Sequence, residues 1–117
     1  MREKDTYLLW MDLETTGIEP EDGLILEAAY CLTGLNLEPM SEAMDNKPIR
    51  QKRERVLSRV DDYVLKMHTD SGLLYEVWDE KKSVPLGEFA TRLKNNLRRH
   101  MKPGDRVHLA GSSIHSR

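Results

Sequence analysis

Cysteine is almost missing from this sequence of 117 residues, in which Cys31 is the only one. A single cysteine excludes an internal disulfide and a cysteine-rich zinc site, and it suits a reducing compartment. Because Cys31 lies in an apolar stretch, we expect it to be a small buried residue with no reactive role.

Long apolar runs are also missing. No run approaches the roughly 20 residues that a membrane helix needs. The N-terminal stretch MREKDTYLLW is charged and then only briefly apolar, and Asp12 interrupts it too early for a signal peptide. The sequence therefore predicts a soluble, cytoplasmic protein.

An excess of charge of one sign is absent as well. The sequence has 18 basic and 20 acidic residues, for a net charge of −2, so contact with nucleic acid would have to come from a local patch. Two basic runs occur, in residues 52–55 and 94–102. We expect both to be solvated helix ends, with phosphate contact as the alternative.

Aromatic residues make up only 6% of the sequence, but 38% of it is hydrophobic, which is enough for a core. A length of 117 residues favours one domain, residues 1–117. Apolar runs of strand length and stretches of helical periodicity alternate along it, which predicts an α/β fold with helices on a mixed sheet. The predicted strands are residues 7–14, 24–33, 35–38 and 106–113, with a loop or irregular edge at 39–47 and a short strand near Ile49; the predicted helices are 52–67, 72–80 and one that begins at Ser83.

The stretch LLWMDLETTG, residues 8–17, carries the main chemical signal. Asp12 and Glu14 are two apart in a predicted strand, so both side chains face the same side. A divalent cation would offset their repulsion, and carboxylate oxygens suit Mg²⁺ or Mn²⁺. Backbone donors in the following Thr-Thr-Gly can approach a nucleotide, which makes Thr16 a candidate for substrate binding. The alternative is that Asp12 faces solvent and Glu14 caps a loop.

Three blocks of the sequence resemble the oligoribonuclease family, in the exonuclease superfamily with four acidic residues and a histidine. They are LLWMDLETTGIEPEDGLILEAAYCLT, MHTDSGL (residues 67–73) and LAGSSIHSR (residues 109–117). The resemblance implies a ribonuclease-H-like fold and removal of nucleotides from the 3′ ends of very short RNAs. It also implies two divalent cations, Mg²⁺ or Mn²⁺, and a homodimer.

The resemblance assigns roles by position. Asp12 and Glu14 match the first two metal-binding catalytic acids. The residues that match substrate contacts are Ile18, an apolar wedge against a base; Tyr63, a ring that stacks on a base; His68, a substrate-contacting histidine; and Ser113, a hydroxyl that touches the terminal 5′ phosphate. Each has an ordinary alternative: a loop residue for Ile18, a core aromatic for Tyr63, and a helix C-terminal cap for His68.

The sequence also departs from the family pattern. Six residues after Gly111 the family has its third acidic ligand, and here that position is Arg117. The family's later block, with the general-base histidine and the fourth aspartate, has no counterpart in these 117 residues. The resemblance therefore implies that the chain corresponds to the N-terminal two-thirds of the family domain and hydrolyses RNA poorly or not at all.

Two other functions remain open at this stage. One is a non-catalytic module that binds short RNA or a protein and has kept the fold without the chemistry. The other is a proofreading exonuclease that acts on DNA 3′ ends. The first predicts binding without turnover, and the second predicts a preference for single-stranded DNA over dinucleotide RNA.

Overall fold

Strand β1, Thr6–Thr15, is an inner strand of a four-stranded mixed sheet. The computed structural model describes residues 4–17, 23–37 and 39–110. On one side β1 pairs antiparallel with β2, Ile25–Gly34, which pairs antiparallel with β3, Pro39–Pro48. On the other side it pairs in parallel with β4, Arg106–Ala110. The strand order is therefore β3-β2-β1-β4.

Four helices lie between β3 and β4 in the chain: α1, Arg53–Leu57; α2, Asp62–Asp70; α3, Leu73–Val77; and α4, Leu86–His100. Side chains alternate between the two faces of the sheet, and one of these faces packs against α4. The buried side chains between this face and α4 form one core: Tyr7, Leu9, Ala28, Tyr30, Leu32, Ala43, Ile49 and Phe89. A second, smaller core joins the start of β2 to α1 and α3: Leu26, Val56, Leu73, Leu74 and Val77.

This arrangement confirms the predicted fold class. The fold is α/β and ribonuclease-H-like, with a mixed sheet flanked by helices. The predicted strands at residues 7–14 and 24–33 and the long last helix are present, and β4 begins where predicted. Within the described part of the chain, none of the helices has both the length and the apolarity needed to cross a bilayer.

The third strand differs from the prediction. Residues 35–37 form a turn, with Leu37 at a positive φ of 68°, and β3 covers the segment that was expected to be a loop. The sequence did not predict β3 as a strand because the segment is rich in polar residues. Residues of β3 that face α4 include Asp45, whose carboxylate lies 2.6 Å from Nε of Arg92 on that helix. The predicted short strand at Ile49 is only an isolated bridge to Val84.

The predicted helix over residues 52–67 was also wrong, because the segment forms two helices. Ser58 Oγ donates to the carbonyl oxygen of Arg55 where α1 ends. Asp61 then caps α2, since its carboxylate accepts a hydrogen bond of 2.8 Å from the backbone N–H of Val64. The next long helix, α4, begins at Leu86 and not at Ser83, whose hydroxyl instead donates to the carbonyl oxygen of Asp79.

Candidate active site

Asp12 and Glu14 occupy the last part of β1, on the face of the sheet that points away from α4. The core residues Tyr7 and Leu9 alternate with them along the strand and face the opposite side. Asp12 is exposed and Glu14 is partly buried. The two carboxylates therefore share one face near the end of the strand, as strand periodicity predicts.

A third carboxylate, Glu27 of β2, lies directly opposite Glu14 in the antiparallel register. Burial raises the pKa of Glu27, and Glu14, Glu76 and Asp12 raise it further, while His68 lowers it. Glu27 is not among the site residues predicted from the sequence. The available signal was a lone acid in the apolar run LILEAAY, but its place opposite Glu14 depends on the hairpin register.

Thr16 closes the base of the loop that joins β1 to β2. Its backbone N–H donates to the carbonyl oxygen of Leu24 at 3.0 Å, and its Oγ1 accepts from the backbone N–H of Leu24 at 3.0 Å. The Thr16 side chain is only 1% exposed. Its hydroxyl is thus turned into the protein and bonded to Leu24, the residue before β2, and a role of Thr16 in substrate binding stays a prediction.

His68 lies in the last turn of α2 and is buried, with 3% exposure. Its Nε2 is 3.1 Å from the carbonyl oxygen of Thr15, the residue after Glu14. A carbonyl oxygen only accepts hydrogen bonds, so in this contact Nε2 carries the proton. The structure therefore brings His68 to the carboxylate-bearing strand through the backbone.

Tyr63 lies on the same helix as His68 but is 76% exposed, which excludes the alternative that it is a core aromatic. The two residues are five positions apart in the helix, so their side chains point about 140° apart around α2. Three other predicted site residues, Ile18, Ser113 and Arg117, lie outside the described residues.

Comparison with known proteins gives a consistent result. The chain is 33% identical over 109 residues to the oligoribonuclease of Tropheryma whipplei (strain Twist), covering 93% of this chain and 55% of that protein. It is 32% identical over 111 residues to the oligoribonuclease of Corynebacterium glutamicum (strain R), covering 95% and 49%. It is 30% identical over 115 residues to that of Escherichia coli O139:H28 (strain E24377A / ETEC), covering 97% and 60%.

The chain belongs to the oligoribonuclease family. No family model matches it. The chain spans about half the length of the curated oligoribonucleases that it matches.

The oligoribonuclease family implies divalent metal use, and the residues present fit such an ion in kind. Mg²⁺ is usually held by one or two carboxylates together with waters and substrate phosphates, which is the donor set that Asp12 and Glu14 offer. Within residues 4–17, 23–37 and 39–110, no three His, Cys, Asp or Glu side chains are grouped to hold a metal. The described part of this oligoribonuclease-family chain thus offers two neighbouring carboxylates of a kind that suits a divalent cation.

The two basic runs lie at opposite ends of the sheet. Tyr7 Oη donates to the carbonyl oxygen of His100 at 3.4 Å, so the basic end of α4 lies beside the start of β1. Glu14 is about 23 Å further along that strand, at roughly 3.3 Å per residue. The run at residues 52–55 lies at the carboxylate end, since Gln51 Nε2 donates to the carbonyl oxygen of Ile25 at 2.9 Å.

Proposed function

We propose that this chain contributes Asp12 and Glu14 as metal ligands to an exoribonuclease that removes nucleotides from the 3′ ends of very short RNAs. The observation that carries the proposal is the position of both carboxylates on one face at the end of β1, with Asp12 open to solvent. The membership of the oligoribonuclease family supports it.

The chemistry follows from the charges at this edge of the sheet. When bound, Mg²⁺ or Mn²⁺ acts as a Lewis acid and lowers the pKa of water. Asp12 and Glu14 would hold the cations, and the partly buried carboxylate of Glu27 opposite Glu14 adds negative potential that attracts cations.

The remaining roles in the proposal come from the family resemblance. Ile18 wedges against a base, the exposed ring of Tyr63 stacks on a base, and Ser113 contacts the terminal phosphate. A stacked base is worth about 1–3 kcal/mol, so Tyr63→Ala is a sensitive probe of RNA affinity. One domain over residues 1–117, a homodimer and a cytoplasmic location belong to the same proposal.

The activity of the 117 residues alone is proposed to be weak. Two carboxylates give only part of the charge that stabilises two cations, and Arg117 stands where the family has an acidic ligand. A cationic side chain that reached the site would compete with metal for the same carboxylates.

The test is dinucleotide binding and hydrolysis by the purified chain, with and without Mn²⁺. We expect Mn²⁺ to strengthen dinucleotide binding and to support slow release of mononucleotides, and Asp12→Asn to abolish both effects. Glu80→Gln is the matched control, because Glu80 is an exposed acid between α3 and α4. Binding and hydrolysis that ignore both Mn²⁺ and Asp12 would contradict the proposal.

A non-catalytic module for short RNA is the second candidate. The small donor set among the described residues favours it. It predicts dinucleotide binding of equal strength with and without Mn²⁺ and no mononucleotide release, so the same experiment separates the two functions. Longer single-stranded DNA, added as a competitor, tests the choice of nucleic acid.

A further inference from the structure

We propose that His68 is a positioning residue, which holds the backbone behind Glu14 through its hydrogen bond to the Thr15 carbonyl oxygen. This inference rests on the proposed metal-binding role of Asp12 and Glu14. It assigns α2 the task of orienting the end of β1.

The burial of His68 is the first argument. With 3% of its surface exposed, His68 is enclosed by protein atoms. The hydroxyl of Ser71 donates to the His68 carbonyl oxygen at 3.2 Å, and the backbone N–H of Leu73 donates to the same hydroxyl at 3.3 Å. The end of α2 is thereby fixed to the start of α3, so the ring has a rigid support.

The pairing of β1 with β2 is irregular where His68 contacts the sheet. The β1–β2 register shifts between Glu14 and Thr15, and such a shift disturbs the local ladder. His68 Nε2 bonds the Thr15 carbonyl oxygen immediately after this point. A side chain from 53 residues away in the sequence thus supports the backbone where the regular pairing changes.

Thr16, the residue after Thr15, is also fixed by hydrogen bonds. Thr16 bonds Leu24 through both its backbone N–H and its hydroxyl. His68 and Leu24 therefore bind the two polar groups, C=O and N–H, of the single peptide unit that joins Thr15 to Thr16. Hydrogen-bond partners of a metal ligand itself typically change metal affinity by 10–100-fold when removed. Because His68 acts on the backbone next to Glu14, we expect an effect at the lower end of this range.

The experiment compares His68→Gln and His68→Leu in the 117-residue chain. The glutamine amide can donate at a reach similar to Nε2, whereas leucine cannot donate. Mn²⁺ affinity is measured by paramagnetic broadening, and protection of the Thr16 and Gly17 amides by hydrogen exchange. We expect His68→Leu to weaken Mn²⁺ binding roughly tenfold and to speed exchange at both amides, and His68→Gln to restore both. Met67→Leu, at an exposed site of the same helix to which no role is assigned, is the control.

Equal Mn²⁺ affinity and equal exchange in His68→Leu and the unaltered chain would overturn the inference. So would a His68 ring whose proton lies on Nδ1, read from nitrogen NMR of the unaltered chain, which decides the matter even if the leucine variant does not fold. If the unaltered chain binds no Mn²⁺, the proposed metal-binding role fails, while amide exchange and the ring tautomer still test the positioning by His68.

Discussion

At the end of β1, single side chains hold the backbone that carries the candidate ligands. The Thr16 hydroxyl is buried and accepts the Leu24 N–H, so its removal leaves a donor without its partner. We expect Thr16→Val to lower the free energy of unfolding by about 1–3 kcal/mol. Thr16→Ser keeps the hydroxyl and loses one methyl group, which costs about 0.8 kcal/mol. Urea unfolding measures both, and a valine variant as stable as the serine variant would contradict this role of the hydroxyl.

Glu27 predicts a dependence of stability on pH. Its pKa is raised in the fold, first by burial and then by Glu14, so the folded state binds the proton more tightly than the unfolded state does. Its contribution to stability is therefore present below the unfolded value of 4.5 and is lost as pH rises through the higher folded pKa.

We expect Glu27→Gln to raise the thermal unfolding midpoint at pH 7–8, because glutamine does not ionise, with the gain over the unaltered chain shrinking as pH falls toward about 4.5. Scanning calorimetry across this pH range measures the difference. Glu80→Gln is the control and should show no such trend. A Glu27→Gln variant that is less stable than the unaltered chain at pH 8 would show that the Glu27 carboxylate makes net favourable contacts.

The local sequence pattern predicts the positions of some residues of the site and not of others. The shared face of Asp12 and Glu14 follows from a period of two, which is a local property. The position of Glu27 requires the register of β1 against β2, and the burial of His68 requires the packing of α2 against β1. Both features depend on tertiary structure, which a local sequence pattern does not encode.

At the scale of elements, a side-chain cap starts α2 after the break that follows α1. The Asp61 carboxylate accepts from the Val64 N–H at 2.8 Å. We expect Asp61→Ala to lower the free energy of unfolding by about 1 kcal/mol and Asp61→Asn to change it little, because asparagine caps as well as aspartate. Urea unfolding of the two variants measures the effect, and equal losses would mean that the charge, and not the cap, is what matters.

The errors in predicting elements share one cause. Hydrophobic periodicity describes one segment at a time and ignores its neighbours in space. The polar strand β3 forms because β2 provides the backbone hydrogen-bond partners for it. Likewise Val56 and Val60 continue an apolar stripe across the break between the two helices, so the stripe alone predicts one helix. The long helix α4, with buried Phe89 and its own periodic face, was predictable because its pattern is local.

At the scale of the whole molecule, charged side chains gather at both ends of the sheet. The carboxylates of Asp12, Glu14 and Glu27 lie at one end together with the basic run at residues 52–55, and the basic last turn of α4 lies at the other end, beside Tyr7. The three carboxylates repel one another, which opposes folding, and any divalent cation that binds them only in the folded state offsets this cost.

Binding of a divalent cation should therefore stabilise the entire fold. We expect Mg²⁺ to raise the thermal midpoint by a few degrees, since a ligand at ten times its dissociation constant adds about 1.4 kcal/mol. Asp12→Asn and Glu14→Gln should start from a higher midpoint in the absence of Mg²⁺, because each removes repulsion, and should gain nothing when Mg²⁺ is added.

Calorimetry at constant ionic strength, with NaCl replacing MgCl₂, separates binding from general screening. The control, Glu80→Gln, should keep the Mg²⁺ effect in full. An equal Mg²⁺ shift in Asp12→Asn, Glu14→Gln and the unaltered chain would place the cation elsewhere and remove the reason for treating this end of the sheet as a metal site.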